Sequence, residues 1–301
     1  MSFRMRTLKD LLGRSVLWLE FGPHAAIPAT GRGGTVDRSK RDPSLLADFY
    51  SASAEAYRRL WAPELVRLSR PLLDKLPLSS VARVLDSGAG VGALLPHVAQ
   101  RVPRGTVVGV DVAEGMIGQS EHPTVAVMDA ARLGFVDGCF DAVLMAFMLF
   151  HLPHPPAGVA EAARVLRAGG SLGTITWGTA VSYEALEIWN EELDAHGAAP
   201  AAGEIIRHEI VNDPEKVTSL LKAEGFVETD AWTAPYLNRM TPERFIEHRA
   251  GHGVSRWRFE TIEERRRVDF LDRVLERVSR LDPQDIVQRE EVVYATALKP
   301  S

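Results

Sequence analysis

The stretch Val84-Leu85-Asp86-Ser87-Gly88-Ala89-Gly90-Val91-Gly92-Ala93 carries the densest chemical signal in the chain. A β-rich apolar run leads into it and a helical pattern leads out. Small residues therefore fall where a strand becomes a helix, and a ligand can approach the backbone there. Gly88, Gly90 and Ala93 even satisfy the dinucleotide fingerprint G-x-G-x-x-A, and Asp111 stands about twenty residues on, where a ribose-binding acid belongs. Asp86 separates two readings of the turn. A carboxylate two residues before the first glycine would repel a pyrophosphate. S-adenosylmethionine has no phosphate and brings an ammonium and a sulfonium, both of which such an acid attracts. The residues favour this cofactor and leave NAD or FAD as a rival.

Other spacings suggest chemistry but lack its context. Gly169-Gly170-Ser171-Leu172-Gly173 matches G-x-S-x-G, yet a nucleophile elbow needs a strand before the serine and a helix after it, and here the order is reversed. His151 and His154 flank a Leu-Pro pair with no further ligand pattern, so no metal site is expected. The run Arg265 to Arg267 falls on the outer face of an amphipathic helix and reads as solvated.

The elements that must position the turn alternate. Ala82 to Asp86, Thr106 to Asp111, Thr124 to Met128, Phe140 to Met145 and Ser171 to Trp177 read as strands, with helices such as Ala93 to Arg101 and Gly158 to Leu166 between them, the signature of βαβ units. Two or three short helices are expected between Asp42 and Leu76. Helices at Tyr183 to His196 and Pro214 to Glu224 follow the fifth strand, then a sixth strand, Val227 to Ala234. Thr241 is placed to cap a helix that has Pro242 at its first position. Thr261 to Glu264 reads as a capping box for a helix whose Val268, Leu271, Val274, Leu275 and Val278 face inward. Glu291 to Leu298 is the last strand.

Composition limits the partners. The 301 residues are 46% apolar, and 35 Lys and Arg stand against 40 Asp and Glu for a net charge of −5. Without a basic run no nucleic-acid partner is expected. The longest apolar stretch, Ala142 to Leu152, is too short to span a bilayer. A single cysteine, Cys139, fits a reducing compartment, so cytoplasmic location is expected with no membrane partner. Leu8, Leu11, Leu12, Val16 and Leu19 recur at helical spacing. That N-terminal helix is expected to dock on its own domain or on a sister subunit in a homo-oligomer.

Five segments in order resemble the class I S-adenosylmethionine-dependent methyltransferases, especially the small-molecule branch with the ubiquinone and menaquinone C-methyltransferases. The resemblance runs from about Phe49 to Trp177 and resumes weakly at the last strand. VLDSGAGVG looks like the family's glycine-rich first motif, which places Asp86, Ser87, Gly88, Ala89 and Gly90 at the cofactor. VVGVDVAEGMI resembles the second motif and implies that Asp111 holds the ribose hydroxyls while Val112 and Met116 pack near the adenine. VMDAARLGF resembles the third, with Asp129 accepting from the adenine amino group and the Ala130 backbone reading the ring edge. FDAVLMAFMLFHL and VLRAGGSL are similar to the fourth and fifth segments, implying that backbone near Met145 and Ala146 borders the methionine moiety. Tyr57 matches a tyrosine that in relatives closes over the cofactor. The expected fold is α/β, a doubly wound, mostly parallel Rossmann-like seven-stranded sheet with an N-terminal helical segment and a mainly helical cap. By residue, 1–41 would be an amphipathic helix and linker, 42–80 a helical lid, and 81–178 the cofactor core, completed by 210–235 and 287–301. Residues 179–209 and 236–286 would be the substrate-binding cap.

Methyl transfer is an in-line displacement at an activated carbon, so alignment in a dry pocket supplies most of the rate. If the small-molecule acceptor is a hydroxyl or an acidic carbon, a histidine is the natural base, and His151, His248 and His252 are the candidates. Trp177, Tyr183, Trp189, Tyr236, Phe245, Trp257 and Phe259 offer aromatic surface for an apolar acceptor or for the cap's own core. Two other activities stay open: a relative that binds the cofactor but performs a non-methylating reaction such as cyclisation, and a dinucleotide-dependent oxidoreductase.

Overall fold

The computed structural model describes residues 43–200, 208–251 and 253–301. The expected N-terminal helix and linker, and His252, lie outside the described residues. Two helices open the described chain, α1 (Pro43–Leu60) and α2 (Ala62–Lys75), longer than the short helices expected there. The core follows as β1 (Arg83–Ser87), α3 (Leu95–Arg101), β2 (Thr106–Asp111), α4 (Glu114–Ile117), β3 (Val125–Val127), β4 (Phe140–Ala146), α5 (Pro155–Val165) and β5 (Leu166–Val181). Then come α6 (Glu184–Ala195), α7 (Pro214–Ala223), β6 (Val227–Arg239), α8 (Pro242–Gly251), α9 (Gly253–Glu260), α10 (Glu264–Val278) and β7 (Val287–Leu298).

All seven strands form one sheet in the order β3-β2-β1-β4-β5-β7-β6. β1 through β5 pair in parallel, while β7 runs antiparallel between β5 and β6. The expected Rossmann-like sheet is present. Its order reverses between β1 and β4, and such a switch point opens a crevice at the carboxyl ends of the strands. β4 is central and buried through Phe140 to Met145, as a strand covered by helices on both faces must be.

β6 runs five residues past the expected Ala234, through Pro235 to Arg239. Pro235 reads as a breaker in sequence, but β6 is an edge strand, where a missing N–H faces no partner. The extension carries Tyr236 out of the expected cap and onto the sheet. β7 likewise begins at Val287, before the expected Glu291.

A second core lies in the cap, where Trp189, Phe245, Phe259 and Phe270 pack together. Of the two readings open for these aromatics, Trp189, Phe245 and Phe259 take the cap's own core. Thr241 Oγ1 accepts from the Arg244 amide at 3.2 Å and caps α8. The capping box at Thr261 does not form: α10 has no side-chain cap, and Thr261 Oγ1 instead donates to Arg258 O and accepts from Ala199 N, closing the preceding helix. Val268 is 66% exposed, and Phe270 takes the inward position instead. Nor is the whole arginine run solvated, because Arg267 donates to the carbonyls of Ile262 and Glu260 at the end of α9. The local pattern places these residues on a helix but cannot see the carbonyls that neighbouring turns leave open.

Among the described residues no helix is long and apolar enough to cross a membrane. No group of three or more His, Cys, Asp or Glu among them could hold a metal ion.

Candidate active site

At the end of β1 the chain turns back on β2. The amides of Gly88 and Ala89 donate to Val110 O at 2.8 and 2.9 Å, and Gly90 N donates to Asp111 Oδ2 at 2.8 Å. Gly88 has φ +86° and Gly90 φ +56°, left-handed backbone that glycine adopts without a Cβ clash. A Cβ on Gly88 would meet the Met148 Cβ at 2.7 Å, so the turn also needs glycine for space. The other Asp111 oxygen accepts from Ala113 N at 2.9 Å. Asp111 thus braces the glycine turn and the β2 exit together, and each oxygen keeps a further lone pair.

Asp86 is 2% exposed, and its Oδ1 has no hydrogen-bond partner among the described residues. Burial, and secondarily the Asp111 charge, push its carboxyl up to about 7. It borders a pocket together with Tyr57, Gly88, Ala89, Ala146 and Phe147. The Tyr57 hydroxyl is held well above the usual phenol range by burial, then by Asp111 and Asp86. Two carboxylates and a phenol therefore converge on one backbone turn.

α1 lies across this edge. Tyr50 Oη and His151 Nε2 are 3.0 Å apart, and the Tyr50 ring meets Tyr57 edge-on at 6.1 Å. Ser51 Oγ accepts from Gly115 N at 3.1 Å, tying α1 to α4. His151 closes the one-turn 3-10 helix that follows β4. Sequence reasoning missed Tyr50, although its place seven residues before Tyr57, two helical turns away on the same face, could have found it.

Met116 is buried beside Gly90, Val112 is partly exposed, and Ala130 is buried at the carboxyl side of β3. Asp129 is exposed and accepts from Ala131 N at 2.8 Å. The Ser87 side chain is buried beneath the turn. The Met145 carbonyl accepts from Thr174 Oγ1 at 2.8 Å, while Ala146 borders the pocket. His248 is 4% exposed, and its ring lies 4.2 Å from that of Trp61, tilted by 38°. Phe147, also missed, has φ +56°, held by the hydrogen bond that its amide N–H donates to Ile175 O at 2.8 Å. Such backbone in a non-glycine costs about 1–3 kcal/mol and clusters at functional sites.

A family model described as a methyltransferase domain matches residues 85–174. An uncharacterised methyltransferase of Mycobacterium tuberculosis is 32% identical over 214 residues, which cover 69% of this chain and 77% of that one. The demethylmenaquinone methyltransferase of Beutenbergia cavernae is 38% identical over 118 residues, covering 38% of this chain and 45% of its own. The chain spans about half the length of several curated relatives that it matches. In fold it is similar to phosphoethanolamine N-methyltransferase 2 of Haemonchus contortus, with a TM-score of 0.52 at 19% identity over 85% of this chain and 60% of the other. Sheet order, glycine turn and a relative matched along most of its length lead to one family: the chain belongs to the class I S-adenosylmethionine-dependent methyltransferases.

Proposed function

We propose that the protein binds S-adenosylmethionine at the glycine turn and methylates a small, apolar or aromatic organic molecule, at oxygen or carbon, as in the small-molecule branch of the family. One observation carries the reading. The buried Asp86 carboxylate has an oxygen without a partner among the described residues, beside a turn whose Gly88 and Gly90 leave the backbone open. An unpaired buried acid is costly and suits a ligand that brings a cation. A dinucleotide's pyrophosphate would be repelled from the same place.

The cofactor, when bound, supplies a methyl carbon activated by the sulfonium. Asp86 would attract its ammonium, Asp111 would accept from the ribose hydroxyls through its remaining lone pairs, and Asp129 with the Ala130 backbone would read the adenine. Val112 and Met116 would flank the base, Ser87 and Ala89 shape the turn, and Tyr57 would close over it from α1. Backbone at Met145 and Ala146 would border the methionine moiety. His151 is the favoured base, since Tyr50 fixes its ring at the carboxyl edge of β4. His248 remains a candidate through its place in the cap, as does His252. Residues 42–80 act as lid, 81–178 with 210–235 and 287–301 as cofactor core, and 179–209 with 236–286 as the cap that selects the acceptor. A quinone or natural-product acceptor and a cytoplasmic location fit this reading.

Calorimetric titration of the protein with S-adenosylmethionine, S-adenosylhomocysteine and NADH tests it. Micromolar affinity for the first two and none for NADH is expected, and binding of NADH alone would overturn the reading. Binding without adenosylhomocysteine ever forming across an acceptor screen would instead favour a non-methylating relative. With a hydroxyl acceptor, His151→Gln should lower kcat about 10²-fold and remove the acid limb of its pH profile. Tyr50→Phe should lower it by about tenfold. Unchanged turnover in both variants removes His151 as the base.

A further inference from the structure

A second concentration of buried polar groups lies on the same carboxyl edge, beyond β5. Antiparallel pairing sets Tyr236 opposite Glu290 and Asn238 opposite Gln288, so Tyr236, Gln288 and Glu290 share one face of the sheet. Trp177 pairs with Val292 on the adjoining strand and joins that face, its ring 5.4 Å from Tyr236. α8 brings Arg249 over the ring of Tyr183 at 5.8 Å, where one Nη2 donates to the Tyr183 hydroxyl. Trp61, between α1 and α2, lies 6.1 Å from Trp177.

The polar atoms here are incompletely matched. Tyr236 is 1% exposed, and its hydroxyl has no hydrogen-bond partner among the described residues. The Arg249 Nε is also buried without one. Gln288, 3% exposed, donates Nε2 to Glu290 Oε1 at 2.7 Å and leaves its own Oε1 unmatched. Glu64, Glu290 and Tyr183 act electrostatically on Tyr236, and Arg249 acts on Tyr183 and Glu290, so the groups form one cluster. Burial draws the Glu290 carboxyl upward, against the pull of Gln288 and Arg249. Native interiors rarely leave several polar atoms unmatched in one place unless something pairs with them.

The cluster also adjoins the pocket beside the glycine turn. Phe147 borders the Asp86 pocket, and its ring lies 4.9 Å from that of Trp177. A flat ligand set against Trp177 would therefore lie next to a residue that borders the Asp86 pocket. A guanidinium with free donors beside a phenol recognises a pair of anionic oxygens better than it does one neutral hydroxyl.

We propose that this cluster lines the acceptor subsite, which takes a flat aromatic acid, its carboxylate held by Arg249 and the Tyr236 hydroxyl and its ring against Trp177 and Trp61. The inference rests on the cofactor reading above and names the substrate class for that same site.

Binding of 1-naphthoate and of its neutral counterpart 1-naphthalenemethanol to the full-length protein, with and without S-adenosylhomocysteine, tests this by tryptophan fluorescence and calorimetry. Naphthoate should bind the wild type at least about tenfold more tightly than the alcohol. Arg249→Met should erase that preference while leaving adenosylhomocysteine affinity within about twofold, and Arg249→Lys should restore part of it. Tyr236→Phe, which keeps the ring in the core, should weaken naphthoate by about threefold to tenfold and guards against a folding artefact at Arg249. Equal binding of acid and alcohol, no binding of either, or a preference that survives Arg249→Met overturns the proposal. If adenosylhomocysteine binds and naphthoate shows no preference, the subsite assignment alone falls. If adenosylhomocysteine fails to bind while naphthoate keeps its Arg249-dependent preference, the cofactor reading falls, the acceptor role falls with it, and an organic-acid site remains.

Discussion

Asp86→Asn is expected to stabilise the ligand-free protein at pH 8 by about 2–4 kcal/mol while weakening S-adenosylmethionine at least about 100-fold. The sign follows from proton counting. In the unfolded chain an aspartate gives up its proton near pH 4, whereas burial, with help from Asp111, holds Asp86 protonated in the folded chain up to about 7. Between these values the folded state binds more protons, so stability falls as pH rises through the window, by up to about 4 kcal/mol once both states are ionised. Asparagine does not titrate. The two proteins should therefore differ little near pH 4 and diverge progressively until about pH 7, as thermal melts across pH 5 to 8.5 will record.

The cofactor reverses the balance. Its ammonium pairs with the ionised form, so binding should release a proton at neutral pH and weaken as pH falls below 7. Calorimetry in two buffers of different ionisation enthalpy measures that proton directly. Parallel melting curves for the two proteins, or an unchanged affinity in Asp86→Asn, would remove Asp86 from the cofactor site. The group that weakens the empty protein is then the one that binds the cation, a common arrangement in functional sites.

The parts of this site that depend on local rules were legible in sequence. Strand, glycine turn and helix follow from residue sizes over Val84 to Ala93, and Asp111 follows from the spacing of a βαβ unit. Thr241 was legible because a helix N-cap depends on its own neighbours alone. Thr261 was not, because a carbonyl at Arg258 and an amide at Ala199 competed for the same hydroxyl. Phe147 has no sequence signal, since its backbone is set by Ile175 across the sheet. The polar cluster was hidden for a different reason. Tyr236 shares a face with Gln288 and Glu290 only because β6 continues past Pro235, which is tolerated at an edge and would not be in a central strand. The cap aromatics stayed undivided between pocket and core because a Trp or Phe buried in either place reads the same.

Asp111→Asn, nearly isosteric, is expected to cost about 2–4 kcal/mol of stability and to weaken the cofactor by about 100-fold. Both Asp111 oxygens accept backbone amides, from Gly90 at 2.8 Å and from Ala113 at 2.9 Å. An asparagine can offer its oxygen to only one. Its NH2 then faces the other N–H, leaving a buried donor without an acceptor and pushing the glycine turn away from β2. Ordinary conservatism is therefore reversed: Asp111→Asn should be no milder than Asp111→Ala, which orphans both amides but forces no donor against donor. A second effect runs against the first. The Asp111 charge helps to raise Asp86, so its removal eases ionisation of Asp86 and returns some stability above pH 7. The double variant should for that reason be less stable than the two single effects added together, with an interaction of about 0.5–3 kcal/mol, as expected of charges sharing one site. Urea midpoints at constant m-value measure all four corners of the cycle. An Asp111→Asn cost below about 0.5 kcal/mol would mean that the amides find other acceptors, and an additive cycle would mean that the two carboxylates do not sense each other.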